Sequence, residues 1–204
     1  MQEQGPVAMG SSCSSVLPSP PPPSFPEYTG AGILFVGGPV ALAGVQKYWR
    51  VAKQGSQSSQ GILSGFGGSR EAGDTDWLHT AWREVVEELF HVKNVPAPLL
   101  HLLRSRIPLP IPPLITCTSG YILLHLGCAE LEIALTLCRK HGIQSELYKT
   151  MPTTVSDLVM KRSPSPQAEL GPLALLPISH RVVISEQFTG DLAYYRQQAQ
   201  QFKN

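Results

Sequence analysis

Short apolar runs dominate the first third of the chain, and apolar residues at helical intervals appear beyond it. GAGILFV and PVALAGVQ are rich in Val and Ile and are separated by Gly37-Gly38-Pro39, which predicts two strands joined by a tight turn. KYWRVAKQGSQSSQ is polar and loop-like, and GILSGF reads as a further strand entering a loop at Gly67 and Gly68. DWLHTAWREVVEELF then predicts a helix, with Asp74 and Thr75 offering N-cap oxygens and Asp76 adding negative charge to the first turn. After it, Pro96 and the IPLPIPP run break regular structure, and TSGYILLHLG reads as a buried strand. AELEIALTLCRKHG carries apolar residues at helical spacing, a basic last turn and Gly142 as its C-cap. RSPSPQ is loop-like, LGPLALLPI suits a last strand, and GDLAYYRQQAQQF a closing helix. No repeat is visible, and the mixture of elements is α/β.

Composition adds boundaries to this pattern. The first 26 residues are rich in Ser, Gly and Pro and culminate in LPSPPPPSFP, a composition that buries little apolar surface and favours polyproline II. This predicts either a disordered tail over 1–26 or a docking segment for an SH3-like or WW-like partner. Residues 27–204 are expected to form one domain, since 204 residues at 42% hydrophobic content supply a sizeable core. A net charge of +1 argues against a strongly electrostatic nucleic-acid binder. No apolar run is long enough to span a bilayer, and no basic region precedes a hydrophobic core at the N-terminus, so an intracellular, cytoplasmic location without membrane contact is expected. Cys13, Cys117, Cys128 and Cys138 have no zinc-like spacing and read as buried or free thiols. The histidines show no HxH or HExxH pattern.

The chemistry concentrates in GGSREAGDTDWLHTAWREVVEELF, residues 67–90. Glu84, Glu87 and Glu88 stand three and four apart, on one helical face, and like charges four apart cost about 0.2–0.5 kcal/mol on a bare helix. The trio therefore asks for positive charge. Arg83, four residues before Glu87, pairs with it along the helix, and a hard divalent cation suits the remainder. Mg²⁺ prefers oxygen ligands and keeps several waters, so a few carboxylates on one face serve it better than a closed protein cage.

This segment resembles the signature box of the Nudix hydrolases: a glycine, a spacer, an acidic residue, then Arg-Glu-x-x-Glu-Glu. The matching positions are Gly68, Asp74, Arg83, Glu84, Glu87 and Glu88. The box is atypical. Its spacer between Asp74 and Arg83 is one residue longer than the commonest form, Asp stands where Glu is usual, and Phe90 occupies the usual glycine position, removing the glycine C-cap. The longer spacing and the TAxRE run are similar to the box of coenzyme A diphosphatases, although the upstream motif that accompanies that group is absent.

The resemblance implies a Nudix-type α/β/α sandwich with a mixed sheet, and Mg²⁺- or Mn²⁺-dependent hydrolysis of a phosphoanhydride in a nucleoside diphosphate linked to another moiety. By resemblance, Glu87 and Glu88 lead the metal ligands, Glu84 is a further ligand or a water-orienting base, and Gly68 contributes its carbonyl. Arg83 braces the glutamates of the catalytic set, and Asp74 fastens loop to helix. Many relatives use a glutamate outside the box as general base; Glu146 and Glu169 are candidates for it or plain surface carboxylates. Tyr48, Trp49 and Arg50 either bind substrate, with the base on the aromatics and phosphate at Arg50 or Lys53, or serve packing and surface display. Trp77 and Trp82 are expected in the core. Removal of an RNA cap is an alternative within the same chemistry, with capped RNA as partner, and a catalytically silent binding domain is an alternative outside it.

Overall fold

The two leading apolar runs form an antiparallel hairpin in the computed structural model, which describes residues 24–25, 27–46, 63–106, 114–116 and 120–178. Along the chain come β1 (Gly30–Gly37), β2 (Val40–Gln46), β3 (Leu63–Ser64), β4 (Phe66–Ser69), α1 (Trp77–Phe90) and α2 (Ala97–Arg106). They are followed by β5 (Leu114–Thr116), β6 (Tyr121–Gly127), α3 (Cys128–Lys140), α4 (Val155–Met160) and β7 (Leu170–Pro177). Gly38, at φ 60°, makes the tight turn between β1 and β2.

The sheet is mixed. β1 runs parallel to β6, with Gly30 opposite Tyr121 and Val36 opposite Gly127. The other pairings are antiparallel: β4 lies along the first half of β1, β2 along its last two residues, and β7 and β3 along β2. β5 closes the far side of β6.

Alternation along these strands sorts their side chains between two faces. Ala31, Ile33 and Phe35 of β1, Leu42 of β2 and Ile122, Leu124 and Leu126 of β6 join the main core, into which all four described helices pack. Leu34, Ala41, Ala43, Leu123 and Leu176 form a smaller cluster on the opposite face, built from strand residues and Ile178. The fold is therefore mixed α/β, with the described helices on one face. The expected closing helix, GDLAYYRQQAQQF, lies outside the described residues. Trp77 and Trp82 are buried as expected, Trp82 beside Phe35 at a ring-centroid distance of 6.3 Å. Phe25, in the Ser/Pro-rich segment, sets its ring edge against Trp77 at 6.3 Å. No helix among the described residues is long and apolar enough to cross a membrane.

Several elements differ from the expectation. Gly67 and Gly68 belong to strand β4 rather than to a loop, and Gly67 adopts φ 148°. Helix α2 stands where Pro96 reads as a breaker. Pro96 instead supplies the carbonyl that accepts from Leu99 and Leu100, and Pro98 falls in the first turn, where its missing N–H is not needed. Leu99, Leu100 and Leu103 then bury one stripe of the helix. Short α4 is started by Thr154, whose side chain accepts from the Asp157 amide. Gly142, at φ 72°, does end α3, with its N–H on Arg139 and that of Ile143 on Cys138.

Candidate active site

Helix α1 presents its apolar residues to the core and its charged face toward β4 and the chain around residues 167–169. Asp76 caps it, accepting from the His79 amide at 2.8 Å, which corrects the expectation that Asp74 or Thr75 would do so. Asp74 is instead committed to Arg83. Its Oδ1 accepts from Arg83 Nε at 3.0 Å and its Oδ2 from Arg83 Nη2 at 2.9 Å, from Thr80 Oγ1 at 2.8 Å and from the Glu71 amide at 2.9 Å. Burial pushes the Asp74 carboxyl up, but the bonds from Arg83, Glu71 and Thr80 outweigh it and hold the group below the usual carboxylate range.

Arg83 spreads its remaining donors over the glutamate face. Nη1 reaches Glu84 Oε1 at 3.0 Å and Glu87 Oε2 at 3.1 Å, and Nη2 also donates to the Ser69 carbonyl at 3.0 Å. Burial works against its charge, and Asp74, Glu84 and Glu87 more than restore it. The i,i+4 pairing of Arg83 with Glu87 is as the spacing predicts.

The glycines make room for the other carboxylates. Glu88, buried in α1, accepts from the Gly67 amide at 2.9 Å. The Glu84 carboxylate closes over Gly68, where any Cβ would collide with it, and the Gly68 carbonyl lies beside Gly30 of β1. Burial, with the charges of Glu84 and Glu71 added and Arg83 opposing, pushes the Glu87 carboxyl up to about 7. Burial thus outweighs the Arg83 charge at Glu87 and favours its protonated form.

The C-terminal end of α1 explains Phe90. The helix continues through it, burying the ring against Tyr148 at 5.9 Å, and the left-handed turn falls one residue later, on His91 at φ 53°. His91 N–H bonds the Glu87 carbonyl at 2.7 Å, so a histidine supplies the left-handed C-terminal turn that glycine more often makes. Its Nδ1 meets Glu146 Oε1 at 2.9 Å, and Ser165 donates to the same oxygen at 2.8 Å.

Glu84, Glu87, Glu88 and Glu169 line one cleft of about 310 Å³, with His91, Lys93 and Gln167 on its wall. Both glutamates outside α1 considered as bases are exposed; Glu169 lines the cleft with the α1 carboxylates, whereas Glu146 is occupied with His91 and Ser165. Among the described residues, no group of three or more His, Cys, Asp or Glu side chains is gathered tightly enough to hold a metal ion as it stands. Trp49, Arg50, Tyr48, Lys53 and the proline-rich run ending at Pro23 lie outside the described residues. Cys128 and Cys138 are free thiols, and burial pushes Cys138 up to about 12; Cys13 and Cys117 also lie outside. Sequence reasoning gives Lys93 and His91 no place in the site, although both closely follow the acidic helix.

No protein-family model matches the chain, and no curated protein matches it either.

Proposed function

We propose that the protein is a Nudix-type hydrolase of α/β/α architecture, cleaving a phosphoanhydride bond in a nucleoside diphosphate derivative with Mg²⁺ or Mn²⁺, in an intracellular setting. The observation that carries this reading is the convergence of Glu84, Glu87, Glu88 and Glu169 on one cleft, with Arg83 bracing the first two. The donor set fits a hard divalent cation in kind, being oxygen only, and burial with the neighbouring Glu84 charge raises the Glu87 pKa to about 7, which a bound cation would lower. Glu87 and Glu88, with Glu84 and the Gly68 carbonyl as further donors, would hold the ion. When bound, such an ion neutralises diphosphate charge and lowers the pKa of a water.

The chain's own residues then divide the work. Arg83, fixed by Asp74, holds Glu84 and Glu87 in a defined rotamer. Gly67 fixes Glu88 through its amide. Glu169 and Lys93 line the same cleft; in this reading Glu169 would take a proton from attacking water and Lys93 would meet substrate phosphate.

Glu87→Gln and Glu88→Gln test the reading. The amide oxygen introduced by Glu88→Gln still offers the Gly67 N–H an acceptor, so both variants are expected to fold. Both are expected to lose Mg²⁺-dependent phosphate release by about 100-fold or more, since even outer-shell changes around a metal cost about 10–100-fold. The substrates to assay are coenzyme A, dinucleoside polyphosphates, ADP-sugars, NADH and capped RNA, and near wild-type rates in both variants overturn the assignment. A second reading, a catalytically silent binding module, draws on the occupation of Glu84 and Glu87 by Arg83. It requires that neither Mg²⁺ nor Mn²⁺ raise the melting temperature.

A further inference from the structure

Arg162 lies in the loop between α4 and β7, half-buried and remote in sequence from the box. Guanidinium carries five N–H donors in a rigid fork, and here each has an acceptor. Nε donates to the Gly171 carbonyl at 2.8 Å; Nη1 donates to the Leu89 carbonyl at 2.6 Å and to Tyr148 Oη at 3.2 Å; Nη2 donates to the Glu88 carbonyl at 3.1 Å and the Leu170 carbonyl at 3.0 Å. The guanidinium carbon also stands 5.9 Å from the centre of the Tyr148 ring.

Two of those carbonyls, on Glu88 and Leu89, belong to the last turn of α1, which has no intrahelical partners for its carbonyls and carries the negative end of the helix dipole. Two others, on Leu170 and Gly171, open β7 directly after Glu169. One cation therefore joins the backbone beneath Glu88 to the backbone beside Glu169. These are the two sides of the cleft that bring carboxylates to it.

From this arrangement we infer that Arg162 is a positioning residue for the reaction proposed above: it sets the separation between the α1 glutamates and Glu169 without touching substrate. The inference rests on that proposed reaction for its catalytic part. Lysine cannot substitute, because a single ammonium has three donors and no fork to span four carbonyls.

The test compares Arg162→Lys with Leu103→Ala, a core change on α2 away from the cleft, in hydrogen exchange and in Mg²⁺-activated hydrolysis. Arg162→Lys is expected to lose amide protection at residues 91–93 and 170–173 together, to raise the half-activating Mg²⁺ concentration about tenfold, and to lower kcat with little change in KM. Leu103→Ala, equally destabilised, should show none of these. Should Arg162→Lys fail to fold, Tyr148→Phe, which removes one of the five acceptors, is expected to raise half-activating Mg²⁺ about two- to threefold. Activation parameters equal to those of Leu103→Ala reduce Arg162 to a structural tie and overturn the inference. A wild-type protein that hydrolyses nothing overturns the proposed reaction and the catalytic part with it, while hydrogen exchange still decides whether the clamp joins the two walls.

Discussion

Asp74 and Arg83 have side chains 2% and 9% exposed and share two hydrogen bonds, so they form a buried, bidentate ion pair. Such a pair is worth little over a well-packed apolar pair, and removing Asp74 leaves Arg83 its bonds to Glu84 and Glu87 but leaves Thr80 and the Glu71 amide without this acceptor, a loss of about 1–3 kcal/mol. Asp74→Ala is expected to lower the unfolding free energy by about that amount in urea titration. A loss below about 0.5 kcal/mol would show that the bracket behaves as a surface pair. The same substitution frees Arg83 to move, so Glu84 and Glu87 lose their brace and hydrolysis is expected to fall alongside stability. The residue spacing makes the Arg83–Glu87 contact legible, because four residues make about one turn. Asp74 with Arg83, nine apart and meeting across a helix entry, leaves no such mark in the spacing; the resemblance gives Asp74 only as fastening loop to helix.

At the level of elements, β4 and α1 depend on each other through Gly67. Its φ of 148° belongs to a region open to glycine, and a Cβ there would meet Tyr121 Oη and the backbone of β1 at Gly32 and the Ala31 carbonyl. Strained backbone of this kind costs on the order of 1–3 kcal/mol before any collision is counted. Gly67→Ala is therefore expected to lower the melting temperature by at least about 5 °C, since about 2–4 °C corresponds to 1 kcal/mol in a chain of this size. Removing the tyrosine hydroxyl alone should not restore it, because the backbone collisions remain; full rescue by Tyr121→Phe would contradict the packing described. Short apolar runs bounded by Gly and Pro make β1, β2, β6 and β7 readable, and helical spacing does the same for α1 and α3. Helix α2 is hidden because prolines at 96 and 98 look alike whether they end one element or begin the next. The C-terminal turn of α1 is hidden because His91 in a left-handed conformation leaves no compositional mark, and the Arg162 contacts because they join backbone carbonyls 73 and 74 residues away.

Over the whole molecule, the proposed cation would compete with protons for the glutamate face, and the sign of that competition can be worked out from Glu87. Its folded-state pKa of about 7 lies above the ordinary 4.5, so the folded chain holds more protons than the unfolded chain between those values. Its contribution to stability is then fully present below about pH 4.5 and is lost as pH rises through about 7. In chelator, the wild-type protein should lose more stability than Glu87→Gln on going from about pH 5 to about pH 8, and the difference between the two curves isolates this group. The proposed divalent cation would reverse the trend, because binding it requires Glu87 ionised. At about a hundred times its dissociation constant it adds about 2.7 kcal/mol, which for this chain is about 5–10 °C in melting temperature. The Mg²⁺-induced shift should accordingly be large near pH 8, small near pH 5 and lost in Glu87→Gln. Equal shifts at both pH values would place the ion away from Glu87. No shift at any pH, with either Mg²⁺ or Mn²⁺, would leave Arg83 as the cation that answers the glutamates and favour the binding module over the hydrolase.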